Sequence, residues 1–171
     1  MFLEKTDRLA LVDFENNHIN YKDLINNIKY FSEYVIFLKN NKFALIVMEN
    51  RPEWIYSFFA IWDKKSPVIT IDALSTPKEI LYVLEDSHPE LVACSNETEK
   101  NILEALTNYS LKDKIKVINV DNFKIEEEKL GKIKKSEFEL YNPEKEETAV
   151  MLYTSGTTGV PKGVMLTYNN L

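Results

Sequence analysis

One stretch of this sequence concentrates the groups that could do chemistry: Thr154-Ser155-Gly156-Thr157-Thr158-Gly159-Val160-Pro161-Lys162-Gly163. It holds three of the chain's four glycines, four hydroxyl side chains and one lysine. Backbone N–H groups of a glycine-rich turn and Ser/Thr hydroxyls can converge on a single anion. Lys162 adds a full positive charge. Each charge-assisted bond contributes roughly 1.5 to 3 kcal/mol, so several together can hold a polyphosphate locally. That matters on a protein whose net charge is −6. Glycine lets the backbone approach the anion where a Cβ would stand in the way. Pro161 stiffens the exit and biases Val160 toward an extended conformation. A ligand-free hairpin loop is the alternative, but simple loops seldom gather this much of a chain's glycine, hydroxyl and basic content.

The stretch is not a Walker A loop, which reads Gly-x-x-x-x-Gly-Lys-Ser/Thr. Counting from Gly156, proline stands at 161, and Gly163 follows the lysine where a magnesium-binding hydroxyl is needed. No Gly-x-Gly-x-x-Gly follows a predicted strand, which removes the common dinucleotide turn. The histidines, His18 and His88, sit in a turn or strand and before Pro89 at a helix end. Neither setting supports a Ser-His-Asp triad. Cys94 is the single cysteine, so no intrachain disulfide or Cys/His zinc cluster is available, and a reducing, cytoplasmic setting fits. With 27 acidic against 21 basic residues, a nucleic-acid partner or general attraction to anionic membranes is disfavoured. Charges at Glu4, Lys5, Asp7 and Arg8 interrupt the start before a signal-peptide run can build. No segment approaches the ~18 apolar residues of a spanning helix. Peripheral contact with a membrane surface stays open.

The elements that must position the loop follow from hydrophobic spacing. At 171 residues, 44% hydrophobic and 28% charged, the chain has the composition of about one folded domain. Leu9 to Phe14 and His18 to Tyr21 flank a turn and predict a hairpin. Leu24, Ile28, Phe31, Val35 and Leu38 step by three and four, predicting a helix over 21–39 with Asn20 as cap. Phe43 to Met48 is an uninterrupted apolar run, as expected of a strand buried on both faces. A helix from Pro52 to Trp62, a strand at 67–71, a helix from Ser75-Thr76-Pro77 to His88 and a strand at 91–94 continue the alternation. A helix over 98–106 and a strand over 116–120 complete it. Such alternation predicts an α/β fold, an open, mostly parallel sheet with helices on both faces. Ligands in such sheets lie beyond the carboxyl ends of the strands. Residues 121–147 are rich in lysine and glutamate and read as a solvated connection with a short strand around 138–141. The apolar strand Ala149 to Tyr153 then feeds the glycine cluster, and Val164 to Leu166 resumes a strand.

The segment Tyr153 to Gly163 closely resembles the phosphate-binding signature of the AMP-binding, adenylate-forming enzymes: acyl-CoA synthetases, peptide-synthetase adenylation domains and luciferases. Ile19-Asn-Tyr-Lys-Asp-Leu24, Asn50-Arg-Pro-Glu-Trp54, Leu74-Ser-Thr-Pro-Lys-Glu-Ile80 and Leu84-Glu-Asp-Ser87 resemble further family segments in order and spacing. The resemblance implies the N-terminal part of the family's large domain. It also implies a two-step ligase: a carboxylate attacks the α-phosphate of ATP, and CoA then takes the acyl group, with Mg2+ assisting the first step. Carried over, Thr154, Ser155, Gly156, Thr157, Thr158, Gly159 and Lys162 hold the β- and γ-phosphates, Thr157 is the candidate magnesium contact, and Lys162 supplies position and charge rather than basicity. The Asn50 and Leu74 segments favour an acyl-CoA synthetase for a long- or medium-chain fatty acid. A peptide-synthetase or carrier-protein ligase and a non-enzymatic nucleotide-binding module are the alternatives; a P-loop phosphohydrolase is disfavoured by Pro161 and Gly163.

Two departures stand out. Trp62-Asp-Lys-Lys-Ser-Pro67 replaces a common Ala-Gly turn, and Tyr168 stands where many members have histidine. Residues 1–171 resemble only about the first third of a family member. The ribose-binding acid, the magnesium-binding glutamate, the acyl pocket and the C-terminal lysine would all lie beyond Leu171. The expectation is a partial AMP-binding domain, ending just after loop 153–163 and catalytically incomplete alone. A covering helix starting near Asn169 would be cut short, leaving apolar surface on the last strand.

Overall fold

The computed structural model describes residues 3, 5–38, 40–123, 141–154 and 161–171. The chain opens with an antiparallel hairpin of β1 (Leu9–Val12) and β2 (His18–Asn20). Its turn is organised by Asp13, whose carboxylate accepts from the N–H groups of Glu15 (3.0 Å) and Asn17 (2.8 Å). Helix α1 (Tyr21–Tyr34) follows, and the Asn20 side chain caps it by accepting from the Asp23 N–H at 2.8 Å. The periodicity predicted a helix to residue 39, five residues too long. Val35 and Leu38 are buried all the same, because a turn with Leu38 N–H on the Val35 carbonyl returns them to the core. The β-branched pair Val35-Ile36 is a poor place to propagate a helix, and spacing alone does not separate a helical turn from such a return.

Among the described residues six strands form the main sheet, in the order β6-β5-β3-β4-β7-β8. They are β3 (Ala44–Val47), β4 (Val68–Thr70), β5 (Leu91–Cys94), β6 (Lys116–Asn119), β7 (Thr148–Thr154) and β8 (Lys162–Thr167). All neighbours are parallel except β7 and β8, which form an antiparallel hairpin. The sheet is thus mostly parallel, as expected. Among the described residues four α-helices cover it: α1, α2 (Pro52–Asp63), α3 (Pro77–Ser87) and α4 (Asn96–Thr107).

The pleat of β3 sorts its side chains between two cores. Ala44 and Ile46 join Leu24, Ile28 and Phe31 of α1 and Ala60 and Ile61 of α2. Leu45 and Val47 join Ile80, Val83 and Leu84 of α3 and Ile102 and Ala105 of α4. Both faces are therefore dry, which is why the strand reads as a continuous apolar run. Helix α3 has a complete capping box: the Thr76 hydroxyl accepts from Glu79 N–H, and the Glu79 carboxylate accepts from Thr76 N–H at 2.8 Å. It ends on His88 in the left-handed region (φ 47°), with His88 Nδ1 2.9 Å from the Tyr109 hydroxyl. That histidine is a helix cap, not a triad member.

Of the strand expected around 138–141, residues 138–140 lie outside the described residues, and Tyr141 is not in a strand. The expected helix near Asn169 is a single 3-10 turn, Tyr168–Asn170. Val164 and Met165 of β8 are 43% and 60% exposed, the apolar surface anticipated for that strand. Among the described residues no helix is long and apolar enough to cross a membrane.

Candidate phosphate-binding site

Strand β7 begins in the core, where Ala149, Val150 and Met151 are buried beside β4, and runs outward to an exposed Thr154. Because β7 is parallel to β4, its carboxyl end emerges on the same edge as those of β3, β5 and β6. Thr154 then pairs with Lys162 at the start of β8, and Tyr153 with Gly163. The antiparallel pairing brings the first and last of the expected phosphate ligands, Thr154 and Lys162, side by side at the base of the loop. Ser155, Gly156, Thr157, Thr158 and Gly159, including the candidate magnesium contact Thr157, lie outside the described residues. Among the described residues Lys162 forms no ion pair.

Gly163 has a different role from the one its place in the motif suggested. It belongs to strand β8, without positive φ. A Cβ built there would lie 2.9 Å from Met151 Sδ and 3.3 Å from both Met151 Cγ and Tyr153 Cζ. The position is small because two β7 side chains cross over it.

Helix α3 touches both ends of the loop. The Tyr82 hydroxyl donates to the Pro161 carbonyl at 2.7 Å, and the Tyr153 hydroxyl donates to Asp86 Oδ2 at 2.7 Å. The two tyrosine rings meet edge to face, 6.3 Å apart. Burial, followed by the Asp86 bond, pushes the Tyr153 hydroxyl well above its ordinary pKa, so it stays a donor. Neither contact was legible in the sequence, since the partners are 79 and 67 residues apart. Asp86 lies in the Leu84 to Ser87 segment, and that resemblance was its only signal.

On the other face, Trp62 Nε1 donates to the Ala149 carbonyl at 2.8 Å, at the point where the β7–β8 register shifts. Tyr168 packs on the Trp62 ring at 4.7 Å, and burial and then Glu147 raise its hydroxyl pKa. Tyr168 is therefore a packing residue here. The turn that lacks the family's Ala-Gly still forms, with Lys65 itself in the left-handed region (φ 57°).

A second polar cluster lies off β3, β5 and β6. Arg51 binds Glu49 (3.2 Å), Glu53 (2.7 Å) and Asp121 (2.7 Å). Glu49 also accepts from the Ser95 hydroxyl at 2.7 Å, and Asp121 from the Asn96 N–H at 2.7 Å. Burial alone would raise the Glu49 carboxyl, but the Ser95 bond, its own backbone N–H and Arg51 outweigh that and hold it low. Asp121 is held low against burial by Asn96 and Arg51. Arg51 is held more firmly protonated by Glu53 and Asp121, again against burial. A cavity of about 380 Å3 opens beside Arg51, between Leu11–Phe14 and the start of α2. Cys94 is buried, and burial pushes its thiol up to about 12, so it is no nucleophile.

The sequence pattern described as "AMP-binding enzyme" matches residues 3–171. The 2-succinylbenzoate–CoA ligase of Bacillus velezensis is 30% identical over 173 aligned positions, covering 96% of this chain and 31% of that protein. The fatty acyl-CoA synthetase A of Dictyostelium discoideum is 31% identical over 137 positions, covering 71% of this chain and 20% of that one. The ATP-bound structure of MatB from Rhodopseudomonas palustris shares the fold, with a TM-score of 0.75 at 21% identity over 99% of this chain and 33% of that one. The chain thus spans about a third or less of the length of these relatives. With a pattern matched from residue 3 to residue 171, the chain belongs to the AMP-binding enzyme family.

Proposed function

We propose that this chain is the N-terminal portion of an ATP-dependent acid–thiol ligase that activates a carboxylic acid as an acyl-adenylate and passes the acyl group to CoA. The observation that carries this reading is the closure of Thr154 on Lys162 at the carboxyl end of β7, in a chain of this family. A carboxylate oxygen attacks the α-phosphorus of ATP, and the bond to the bridging oxygen breaks as pyrophosphate leaves. A thiolate then attacks the acyl carbonyl carbon, and AMP departs with the electrons of the C–O bond. Charge builds on the departing pyrophosphate, and donors already in place there lower the barrier. Lys162 supplies charge at the base of the loop, and Thr154, Ser155, Gly156, Thr157, Thr158 and Gly159 supply hydroxyl and amide donors. Among the described residues no group of three or more His, Cys, Asp or Glu is placed to hold a metal ion. Magnesium would arrive on the nucleotide phosphates, as it commonly does, with Thr157 as the candidate protein contact.

The acid we propose is a medium- or long-chain fatty acid, supported by the Asn50–Trp54 and Leu74–Pro77 segments, and the setting we propose is the cytoplasm. The test is acid-dependent exchange of pyrophosphate into ATP, run on the longest polypeptide its gene encodes and on residues 1–171. The acids are a fatty-acid length series, malonate and 2-succinylbenzoate. Exchange is expected from the longer protein with fatty acids and not from residues 1–171 alone. No acid-dependent exchange in either would refute the ligase and leave a nucleotide-binding module. Acyl transfer to a carrier protein but not to CoA would place it in another branch of the family.

A further inference from the structure

We propose that Tyr82 and Asp86 are positioning residues that clamp the two ends of the phosphate loop, holding Thr154 and Lys162 at a fixed separation and orientation. The inference rests on the phosphate-binding role proposed above. Tyr82 and Asp86 are four residues apart and so lie on one face of α3. Four residues along a helix advance about 6 Å, so one face of α3 reaches both the Pro161 carbonyl and the Tyr153 hydroxyl. Tyr82 takes the exit at the Pro161 carbonyl, next to Lys162. Asp86 takes the approach at the Tyr153 hydroxyl, next to Thr154.

The helix itself is fixed. Ile80 and Leu84 are fully buried, Val83 is 4% exposed, and the N-terminus is closed by the Thr76–Glu79 box. Donors that must meet a phosphate gain from being held before it arrives, since ordering them then costs affinity. Antiparallel pairing sets the spacing of β7 and β8 but leaves a two-stranded end free to twist. The two bonds to α3 remove that freedom.

The test measures amide hydrogen exchange on residues 1–171 and ATP binding on the longest polypeptide the gene encodes, each without substitution and with Tyr82→Phe, Asp86→Ala and Asp86→Asn. Phenylalanine keeps the ring and removes only the donor; asparagine keeps a carbonyl oxygen for the Tyr153 proton. Exchange at Tyr153, Thr154, Lys162 and Gly163 should accelerate at least fivefold in Tyr82→Phe and Asp86→Ala, with β3 and β5 unchanged. Asp86→Asn should restore most of the protection. The ATP dissociation constant should rise several-fold in the first two variants and recover in the third. Unchanged exchange at the hairpin would overturn the clamp, and so would equal acceleration in every strand, which reports global destabilisation. Hairpin-specific acceleration in a protein that binds no ATP even without substitution would keep the clamp and refute phosphate binding by this chain.

Discussion

Replacing Gly163 by alanine separates a packing role from a phosphate-binding one. The added Cβ would sit 2.9 Å from Met151 Sδ and 3.3 Å from Tyr153 Cζ. Met151 is 8% exposed and Tyr153 is anchored to Asp86, so neither side chain can swing freely into solvent. Overpacking of this kind costs about 1 to 3 kcal/mol. Against that, alanine in a strand recovers roughly 0.5 to 1 kcal/mol of the backbone entropy that glycine forfeits. Methionine is adaptable and relieves part of the clash. The balance is a loss of about 1 kcal/mol, read as a lower urea midpoint with unchanged slope.

A second substitution gives the sign. Met151→Val removes the sulfur that alanine would meet, so Gly163→Ala introduced into that background should be neutral or stabilising. The double-mutant cycle should then return a coupling of about 1 kcal/mol. If Gly163→Ala leaves stability untouched and instead raises the ATP requirement of the ligase, the packing argument is wrong and Gly163 belongs to the phosphate site after all.

Other perturbations reach the remaining parts of the site. Lys162→Ala should raise the ATP requirement of the ligase roughly ten- to a hundredfold, the equivalent of one charge-assisted bond; unchanged kinetics would remove Lys162 from the phosphates. Trp62→Phe keeps the aromatic packing on Tyr168 but strands the buried Ala149 carbonyl, at a cost of about 1 to 3 kcal/mol in a urea melt; no change would show that water satisfies that oxygen. The Glu49 and Asp121 carboxyls have depressed folded-state pKa values, so their contribution is complete above the unfolded values near 4 and is lost as pH falls through the lower folded ones. Acid titration of stability should therefore show a loss below about pH 4 that Arg51→Met reduces; an identical acid limb in both proteins would detach the cluster from stability.

What was legible in the sequence follows from how many faces an element buries. Strands such as Leu91–Cys94 are covered on both sides, so every residue carries the apolar signal and the predicted bounds coincide with the observed ones. Helix α1 buries one face, and its stripe runs on into a turn that reuses the same spacing. The candidate phosphate loop was visible because its chemistry is local, gathered in ten consecutive residues. The antiparallel turn of β8, the clamp by Tyr82 and Asp86, and the Trp62 bond to Ala149 depend on which strand lies beside which. Strand β7 inserts next to β4 although β5 and β6 come between them in the chain, and no local pattern encodes that placement.

That placement also bears on the polyphosphate binding proposed for this acidic protein. Glu49, Glu53 and Asp121 gather around Arg51 off the ends of β3 and β6, on the same sheet edge as the loop. Three carboxylates directly beside Thr154 and Lys162 would oppose the phosphates. Between β3 and β7 lies β4, so the two strands stand two spacings apart, about 10 Å. That separation is just over the Debye length of ~8 Å at physiological salt, so distance and salt weaken the repulsion, less fully than for exposed charges because these carboxylates are partly buried. Arg51 offsets part of the cluster from within, since it binds all three carboxylates. Segregation by strand order is compatible with the proposed role of Lys162 at a phosphate in a chain of net charge −6. A negative charge added at the carboxyl end of β4, such as Thr70→Glu, should therefore weaken ATP binding more than the same charge added on β6, although the net charge of the two proteins is identical.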